Sequence, residues 1–216
     1  SLLGKALVVT QVAASLLLLV GAGLFVRTLR NLERVDLGFD ARNLLIFRVD
    51  PSLNRYDGER IARLYQQMIE RIEAVPGVRS ATISRHPLLS GSSANGPAYA
   101  EGHAPMSATE RNVYQQRVRW NFFETMKIPL VAGRSLTALD DERAPKVAVI
   151  NQTMARRFFG NENPVGRRIG FGKIENSGEI EVVGVVKDAK YAKQRQDVPS
   201  TAYIPYPQQP PSQMNF

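Results

Sequence analysis

The sequence has no cysteine and only two histidines, His86 and His103. Without cysteine, the protein has no disulfides and no thiolate ligands for a metal ion. The two histidines are not part of an H-E-x-x-H helix, which would place two zinc ligands one turn apart. We therefore interpret both histidines as exposed loop residues that hold no metal.

The motifs of nucleotide binding and catalysis are also missing. A phosphate-binding loop requires G-x-x-x-x-G-K-[ST], but residues 160–168 have a different glycine spacing and no lysine, and residues 170–173 lack the rest of the pattern. We interpret both segments as turns. The acidic run Asp140, Asp141 and Glu142 lacks the alternate ligands and distal glutamate of a calcium loop, so we predict a solvated turn there. We expect no catalytic, cofactor-binding or metal-binding residue, no cofactor and no enzymatic activity.

One long apolar run, from Ala6 to Val26, dominates the start of the chain. Roughly 20 apolar residues are needed to cross a bilayer as a helix, and this run has no charged residue. The alternatives are a secretory signal peptide, whose apolar region has about 7 to 15 residues, and a buried helix of a soluble protein. The second alternative is disfavoured because nothing else in the chain could surround such a helix. We predict a membrane span.

Basic residues outnumber acidic ones by 28 to 20, which gives a net charge of +8. The basic residues are scattered, and the group Arg27, Arg30 and Arg34 lies beside the span, which favours lipid headgroups over nucleic acid as its partner. Counting basic residues would place the chain after the span in the cytoplasm, but long folded domains translocate largely regardless of charge. The residues alone leave the orientation open.

The pattern after the span predicts a helical extension and then a strand-helix-strand unit. Leu29, Leu32 and Val35 continue the helix, which Gly38 is expected to end. The unit then consists of a strand at 44–49, an amphipathic helix capped by Asp57, and a strand at 78–84. Its helix is expected to cover one face of a sheet.

A loop or crossover into a second lobe is predicted for residues 86–105, which are rich in Gly, Pro, Ser and Ala. The strands predicted after it are 113–118, 147–150, 168–174, 179–186 and 201–206, with a hairpin between the third and the fourth. Two short helices are predicted, one with a capping box of Asn121 and Glu124 and one capped by Asn151. The aromatic residues expected in the core are Trp120, Phe122, Phe123, Phe158 and Phe159.

An ordered set of stretches runs through nearly the whole chain: QVAASLLLLVGAGL, GFDARNLLIFRVD, AVPGVRSATIS, FFETMKIPLVAGRSLT, APKVAVINQTMARRFFGNENPVGRRI and EIEVVGVVKDAKY. This set resembles the MacB-type permeases of ABC transporters, and in particular the MacB-like/FtsX-like permeases in which this unit is duplicated. The resemblance implies an α+β fold with one N-terminal transmembrane helix and an extracytoplasmic domain. The implied segments are the span and its extension (1–36), the first half of a porter-like lobe (37–90), an inserted mixed lobe (91–200), and a return strand with a Pro-rich tail (201–216).

The family also implies a second strand-helix-strand unit and three more transmembrane helices after this domain. We therefore expect this sequence to be a C-terminally truncated piece of a longer chain, in which the porter-like sheet has an unpaired edge.

The resemblance further implies a permease subunit in the cell inner membrane, with most of this chain outside the cytoplasm. Its domain would transmit conformational change from a cytoplasmic ABC ATPase to the export or extraction of a substrate. The implied partners are that ATPase, a second permease copy, membrane lipid and a periplasmic adaptor, and not nucleic acid. A membrane-anchored extracytoplasmic sensor or ligand-binding domain is the alternative, and an anchored hydrolase would need a nucleophile and base that the sequence does not offer.

Overall fold

A computed structural model describes residues 2–33, 38–40, 43–51, 58–87, 94–103, 106–189, 198–208 and 214–216. The helices are α1 (Leu2–Glu33), α2 (Gly58–Glu73), α3 (Phe122–Thr125) and α4 (Gln152–Phe159). The strands are β1 (Arg48–Val49), β2 (Asn95–Ala100), β3 (Asn112–Val118), β4 (Leu130–Gly133), β5 (Val147–Asn151), β6 (Arg168–Phe171), β7 (Ile180–Val186), β8 (Thr201–Pro205) and β9 (Met214–Asn215). This mixture confirms the predicted α+β class. The chain divides into two compact units, Ser1–Asp36 and Leu37–Phe216.

The first unit contains α1, in which Gly4–Arg30 is long and apolar enough to cross a membrane, by length and composition. At about 1.5 Å per residue, these residues extend for about 40 Å. Three hydroxyl groups in the helix donate to the carbonyl oxygen four residues earlier, Thr10 at 3.0 Å, Ser15 at 2.8 Å and Thr28 at 2.9 Å. These polar groups therefore need no partner from lipid. The predicted extension includes Leu29 and Leu32, whereas Val35 lies outside the described residues.

The second unit begins with a small lobe built around α2. The apolar face of this helix packs on the extended segments that hold β1, β9 and residues 81–84. The buried members of this core are Ile61, Tyr65, Ile69, Ala81, Ile83 and Met214. The predicted amphipathic helix is thus confirmed, while the predicted cap Asp57 lies outside the described residues.

Both strands predicted for this lobe are shorter than expected. Of residues 44–49, only Arg48 and Val49 form a ladder, with Asn215 and Met214. Of residues 78–84, only Ser84 forms a β-bridge. An extended segment counts as a strand only when a neighbour pairs with it, and residues 44–46 and 78–82 have no partner strand among the described residues.

The larger lobe is a seven-stranded sheet in the order β4-β7-β5-β8-β3-β2-β6. In addition, β6 pairs with the beginning of β7, where Arg168 lies opposite Glu181. β4 pairs with the other end of the same edge, where Leu130 lies opposite Val186. The six strands other than β4 therefore close into a ring. The antiparallel pairing of β6 and β7 confirms the predicted hairpin.

Two cores stabilise this lobe. One draws residues from all six strands of the ring and from α4, so it is the interior of the ring; among its members are Ala98, Val113, Ile150, Ile169, Val182, Ala202 and Phe158. The other lies on the opposite face of β5, β7 and β8 beneath α3, and includes Phe122, Phe123, Val149, Val186 and Tyr203.

The two predicted helix caps have different outcomes. Asn151 caps α4 as predicted, because its side-chain oxygen accepts a hydrogen bond from the amide of Met154 at 3.0 Å. The capping box at α3 is wrong, since Asn121 makes no side-chain cap. Its amide nitrogen donates instead to the carbonyl oxygen of Ala81 at 3.0 Å. The tertiary contact with the small lobe replaces the local one.

Two strands of the ring lobe were not expected. β2 lies inside the segment predicted as a loop, because Asn95–Ala100 is a run of small residues without a strand-like apolar pattern. Its Ala98 is almost fully buried in the ring interior, where a small side chain fits. β4 follows Pro129 and is mostly exposed, so it also lacks an apolar signature.

Candidate functional site

Residues Gly38, Phe39 and Asp40 are the first described residues of the second unit, and we refer to them as the entry anchor. The backbone amide of Asp40 donates to the carbonyl oxygen of Met126 at 3.2 Å. Its carboxylate lies 2.7 Å from the ammonium of Lys127. Phe39 packs against the core beneath α3. The entry anchor is therefore attached to the ring lobe by a backbone bond, an ion pair and an apolar contact.

Gly38 fits its position only because it has no side chain. It is buried, and its φ of +77° lies in the left-handed region that disfavours other residues. A Cβ atom there would overlap the carbonyl oxygen of Asp188 and lie 2.9 Å from the Cα of Ala189. The backbone of Gly38 therefore lies directly against the backbone of Asp188 and Ala189, which follow β7.

Asp188 extends this attachment to the beginning of α4. Its carboxylate oxygens accept hydrogen bonds from the amide and the hydroxyl of Thr153, both at 2.9 Å. The guanidinium of Arg156 lies 3.0 Å from the same carboxylate. A carboxylate at a helix N-terminus is stabilised by the unpaired amides and by the helix dipole. Gly38, Asp188 and Thr153 thus form a continuous series of contacts from the entry anchor into the ring lobe.

These contacts could not be read from the sequence, because each joins residues more than thirty positions apart. The sequence identified Gly38 only as a helix terminator.

A groove of about 1140 Å³ opens on the second unit between residues 43–47 and residues 77–82. Trp120 and Phe122 also line it. Trp120 is 39% exposed, so its prediction as a core residue is wrong. The four phenylalanines predicted with it are all buried.

The two histidines lie apart and are not the exposed loop residues that we predicted. His86 is half-buried, and its backbone exchanges hydrogen bonds with the side chain of Gln116 at 3.2 and 3.0 Å. Burial, followed by the charges of Arg85, Arg117 and Arg48, lowers the pKa of His86 to about 4. Its imidazole is therefore neutral at pH 7. No group of three or more His, Cys, Asp or Glu that could hold a metal occurs among the described residues.

His103 lies beside the end of α4, where its ring packs edge-on against Phe159 with centroids 5.3 Å apart. Its Nδ1 lies 3.0 Å from the carbonyl oxygen of Glu101. This half-buried histidine is therefore a packing residue at the rim of the ring interior.

The acidic cluster separates into one buried residue and two exposed ones. Both oxygens of Asp140 lie 2.9 Å from the guanidinium of Arg134 in a bidentate pair, and the amide of Thr137 donates to it at 2.7 Å. The solvated-turn prediction is wrong for Asp140, which is 6% exposed. Asp141 and Glu142 are exposed, as predicted.

Stability is expected to depend on pH through Asp140. Burial acts to raise the pKa of this carboxyl, but the hydrogen bonds from Arg134 and Thr137 and the charge of Arg134 outweigh it, so the pKa is lowered. The stabilisation is therefore complete above the unfolded pKa of about 3.9 and is lost as the pH falls through the lower folded pKa. At pH 7, Asp140→Asn should reduce the free energy of unfolding by about 2–3 kcal/mol. Urea titrations of the wild type and the variant, in detergent at pH 7, 5 and 3, would measure this difference in the free energy of unfolding.

The exposed Glu142 provides a matched control in the same turn. Glu142→Gln should change the free energy of unfolding by less than about 0.5 kcal/mol at pH 7. The difference between wild type and Asp140→Asn should shrink at pH 3. A difference that stayed constant from pH 7 to pH 3 would contradict the proposed role of the carboxylate charge.

The sequence model of one protein family, described as the MacB-like periplasmic core domain, matches residues 6–215. The pyoverdine export ATP-binding/permease protein PvdT of Pseudomonas aeruginosa is 33% identical over 86 residues, which are 40% of this chain and 12% of that protein. The macrolide export ATP-binding/permease protein MacB of Aggregatibacter actinomycetemcomitans is 32% identical over 82 residues, which are 38% of this chain and 12% of that protein. The chain thus matches about an eighth of the length of these relatives.

Among solved structures, the periplasmic region of MacB from Actinobacillus actinomycetemcomitans superimposes with a TM-score of 0.51. The match covers 82% of this chain and 75% of that one, at 17% identity. At this identity the likeness concerns the fold alone.

Proposed function

Since the chain belongs to the family of MacB-like periplasmic core domains, we propose that it couples a cytoplasmic ATPase to work on a substrate outside the membrane. Membership of this family identifies the chain as a periplasmic domain of an ABC transporter permease. The finer proposal is that conformational change passes through α1 into this domain and drives export or extraction of a substrate. The domain itself carries out no chemical reaction.

The observation that carries the proposal is the entry anchor. Gly38 and Asp40, the described residues next to α1 in the sequence, are attached to the ring lobe by a close backbone approach, a backbone hydrogen bond and an ion pair. A displacement of this segment therefore acts on Asp188 and, through it, on the beginning of α4. A packed junction transmits displacement, whereas a flexible linker absorbs it.

The proposed partners follow from the same function. A cytoplasmic ATPase supplies the energy, and a second permease copy provides the opposing half of the transporter. Both relatives named above are export ATP-binding/permease proteins, which supports a role in export. Arg27 and Arg30 at the end of the span are exposed and suited to anionic lipid headgroups. A periplasmic adaptor completes the proposed set.

The orientation in the inner membrane gives a direct prediction. Alkaline phosphatase, which folds to its active form only outside the cytoplasm, is expected to be active when fused after residue 216 in a bacterial host. β-Galactosidase fused at the same position should be inactive, and deletion of residues 6–26 should abolish the phosphatase signal. An active β-galactosidase fusion with inactive phosphatase would place the domain in the cytoplasm and reject the proposal.

A further inference from the structure

The short helix α3 ends in a turn that has an unusual residue at its key position. The amide of Ile128 donates to the carbonyl oxygen of Phe123 at 2.8 Å, and the amide of Lys127 donates to that of Glu124 at 3.1 Å. These two bonds form a Schellman motif, in which the first residue beyond the helix cap takes a left-handed conformation and is usually glycine. Here that residue is Lys127, with a φ of +53°.

Stability alone does not account for a lysine at this position. The Cβ atom of lysine makes the left-handed region unfavourable, whereas glycine adopts this region without strain. The ammonium of Lys127 does form the ion pair with Asp40, but the lysine side chain is 66% exposed. Ion pairs that are exposed to solvent stabilise proteins little. Residues held in rare backbone conformations cluster at functional positions, which suggests that the ion pair serves another purpose.

Two bonds fix Asp40 of the entry anchor at this end of α3. Its amide donates to the carbonyl oxygen of Met126 at 3.2 Å, and its carboxylate accepts a hydrogen bond from the ammonium of Lys127 at 2.7 Å. Two adjacent residues of the turn thus present an acceptor and a donor to the same residue of the entry anchor.

The segment that carries α3 is also bonded to the small lobe. Asn121, directly before the helix, donates to the carbonyl oxygen of Ala81 at 3.0 Å. Arg119 donates to the same oxygen at 3.0 Å and forms an ion pair of 2.9 Å with Glu73 at the end of α2. The α3 segment therefore connects the entry anchor with both the core helix and an extended segment of the small lobe.

We propose that Lys127 is a positioning residue, which holds the entry anchor on α3 so that a displacement of the anchor reaches the small lobe. This role rests on the proposed function. It adds a second route to the one through Asp188, which leads to α4 in the ring lobe. The ion pair with Asp40 is then the reason that lysine takes the place of the usual glycine.

The variant Lys127→Gly separates this role from stability. Because glycine relieves the left-handed strain, the urea midpoint of unfolding should stay the same or rise. Loss of the ion pair should lower the protection of the Asp40 amide against hydrogen exchange by about 2- to 5-fold. Transport per ATP hydrolysed should fall by about 2- to 30-fold. Exchange and unfolding would be measured on the full-length protein in detergent, and transport in membrane vesicles.

A charge exchange provides the rescue. Lys127→Asp brings two carboxylates together in a left-handed turn that aspartate tolerates, so the amide at position 40 should be less protected than in Lys127→Gly. Adding Asp40→Lys restores an ion pair and should return protection and transport towards wild-type values.

Lys146→Gln is the matched control for the loss of an exposed ion pair. The ammonium of Lys146 lies 3.2 Å from the carboxylate of Glu179, and both side chains are about half exposed. This pair makes none of the contacts described for the entry anchor. Lys146→Gln should therefore change neither the protection of the Asp40 amide nor transport.

Thr125→Val tests the connection from α3 to the small lobe. The hydroxyl groups of Thr125 and Ser80 lie 2.7 Å apart, and valine keeps the shape of threonine without its hydroxyl. Thr125→Val should lower transport per ATP hydrolysed. If Lys127 and Thr125 act in series, the double variant should lose no more transport than the more impaired single variant. Fully additive losses would place the two residues on separate routes and refute the proposed series.

Two further results would refute the role of Lys127. One is unchanged protection of the Asp40 amide in Lys127→Gly, and the other is unchanged transport despite the lost protection. Insertion of flexible residues after Arg34 tests the proposed function separately. If that insertion abolishes transport while Lys127→Gly leaves it intact, only the role of Lys127 is wrong. If both leave transport intact, the proposed function is wrong as well.

Discussion

Inserting about six glycine and serine residues after Arg34 of the full-length permease is expected to abolish transport. The insertion adds flexible chain between α1 and the entry anchor, so that a displacement of the helix no longer reaches Gly38. Expression, membrane insertion and ATP binding should stay at wild-type levels because none of them depends on this junction. Substrate transport in membrane vesicles, measured beside nucleotide binding, would test the expectation.

The same insertion after Gly102 provides the control. Gly102 lies in an exposed turn with nothing within 4 Å of the position of a Cβ atom. Transport should survive there, because the turn makes none of the contacts described for the entry anchor and has room for added chain. Undiminished transport after the insertion at Arg34 would show that residues 30–36 are only a solvated spacer.

Asn151→Ala is expected to lower the free energy of unfolding by about 3–5 kcal/mol. Asn151 is fully buried, and its side-chain oxygen accepts hydrogen bonds from the amides of Met154 at 3.0 Å and Thr201 at 2.9 Å. Its nitrogen donates to the carbonyl oxygen of Pro199 at 2.9 Å. Alanine would leave the buried amides of Met154 and Thr201 unpaired at the junction of β5, α4 and β8, while the carbonyl oxygen of Pro199 would keep only its hydrogen bond from the hydroxyl of Thr201 at 3.0 Å. Guanidinium titration followed by circular dichroism in detergent would measure the loss.

Asn176→Ala is a matched control, since the side chain of Asn176 makes one partly buried hydrogen bond, to the carbonyl oxygen of Phe171 at 3.0 Å. Asn176→Ala should lower the free energy of unfolding by about 1 kcal/mol. If Asn151→Ala and Asn176→Ala lowered the free energy of unfolding equally, the three hydrogen bonds of Asn151 would stabilise the protein no more than the single bond of Asn176, which would contradict the prediction.

Features that depend on local pattern were predictable from the sequence. The apolar run of α1, the amphipathic face of α2 and the cap Asn151 each follow from residues within one or two turns of helix. The apolar strands β5, β7 and β8 were found for the same reason. Burial on both sides leaves a continuous apolar run that is visible without knowledge of the partner strands.

Features that depend on distant partners were not predictable. β2 is built of small residues that fit the ring interior, and its strand character comes from pairing with β3 and β6. Asp140 is a different case, because its partners Thr137 and Arg134 are only three and six residues away, but their spacing alone did not show that the turn closes around the carboxylate. The contacts of Gly38 and Asp40, by contrast, depend on Asp188 and Met126, far along the chain. Such residues acquire their roles only when the fold brings them together.

β4 and β6 pair with different ends of the same edge of β7, and this arrangement affects whether the sheet can pair with strands of neighbouring proteins. Proteins confined to a bilayer meet their neighbours at high local concentration, and open strand edges would let such neighbours add to each other's sheets. Here β6 and β4 share the edge of β7 between them, and closure of the ring leaves β4 as the outermost strand of this sheet. β4 is short and has an irregular register between Leu130 and Ala132, which is a poor template for another strand. The ring lobe is thus protected from edge-to-edge aggregation.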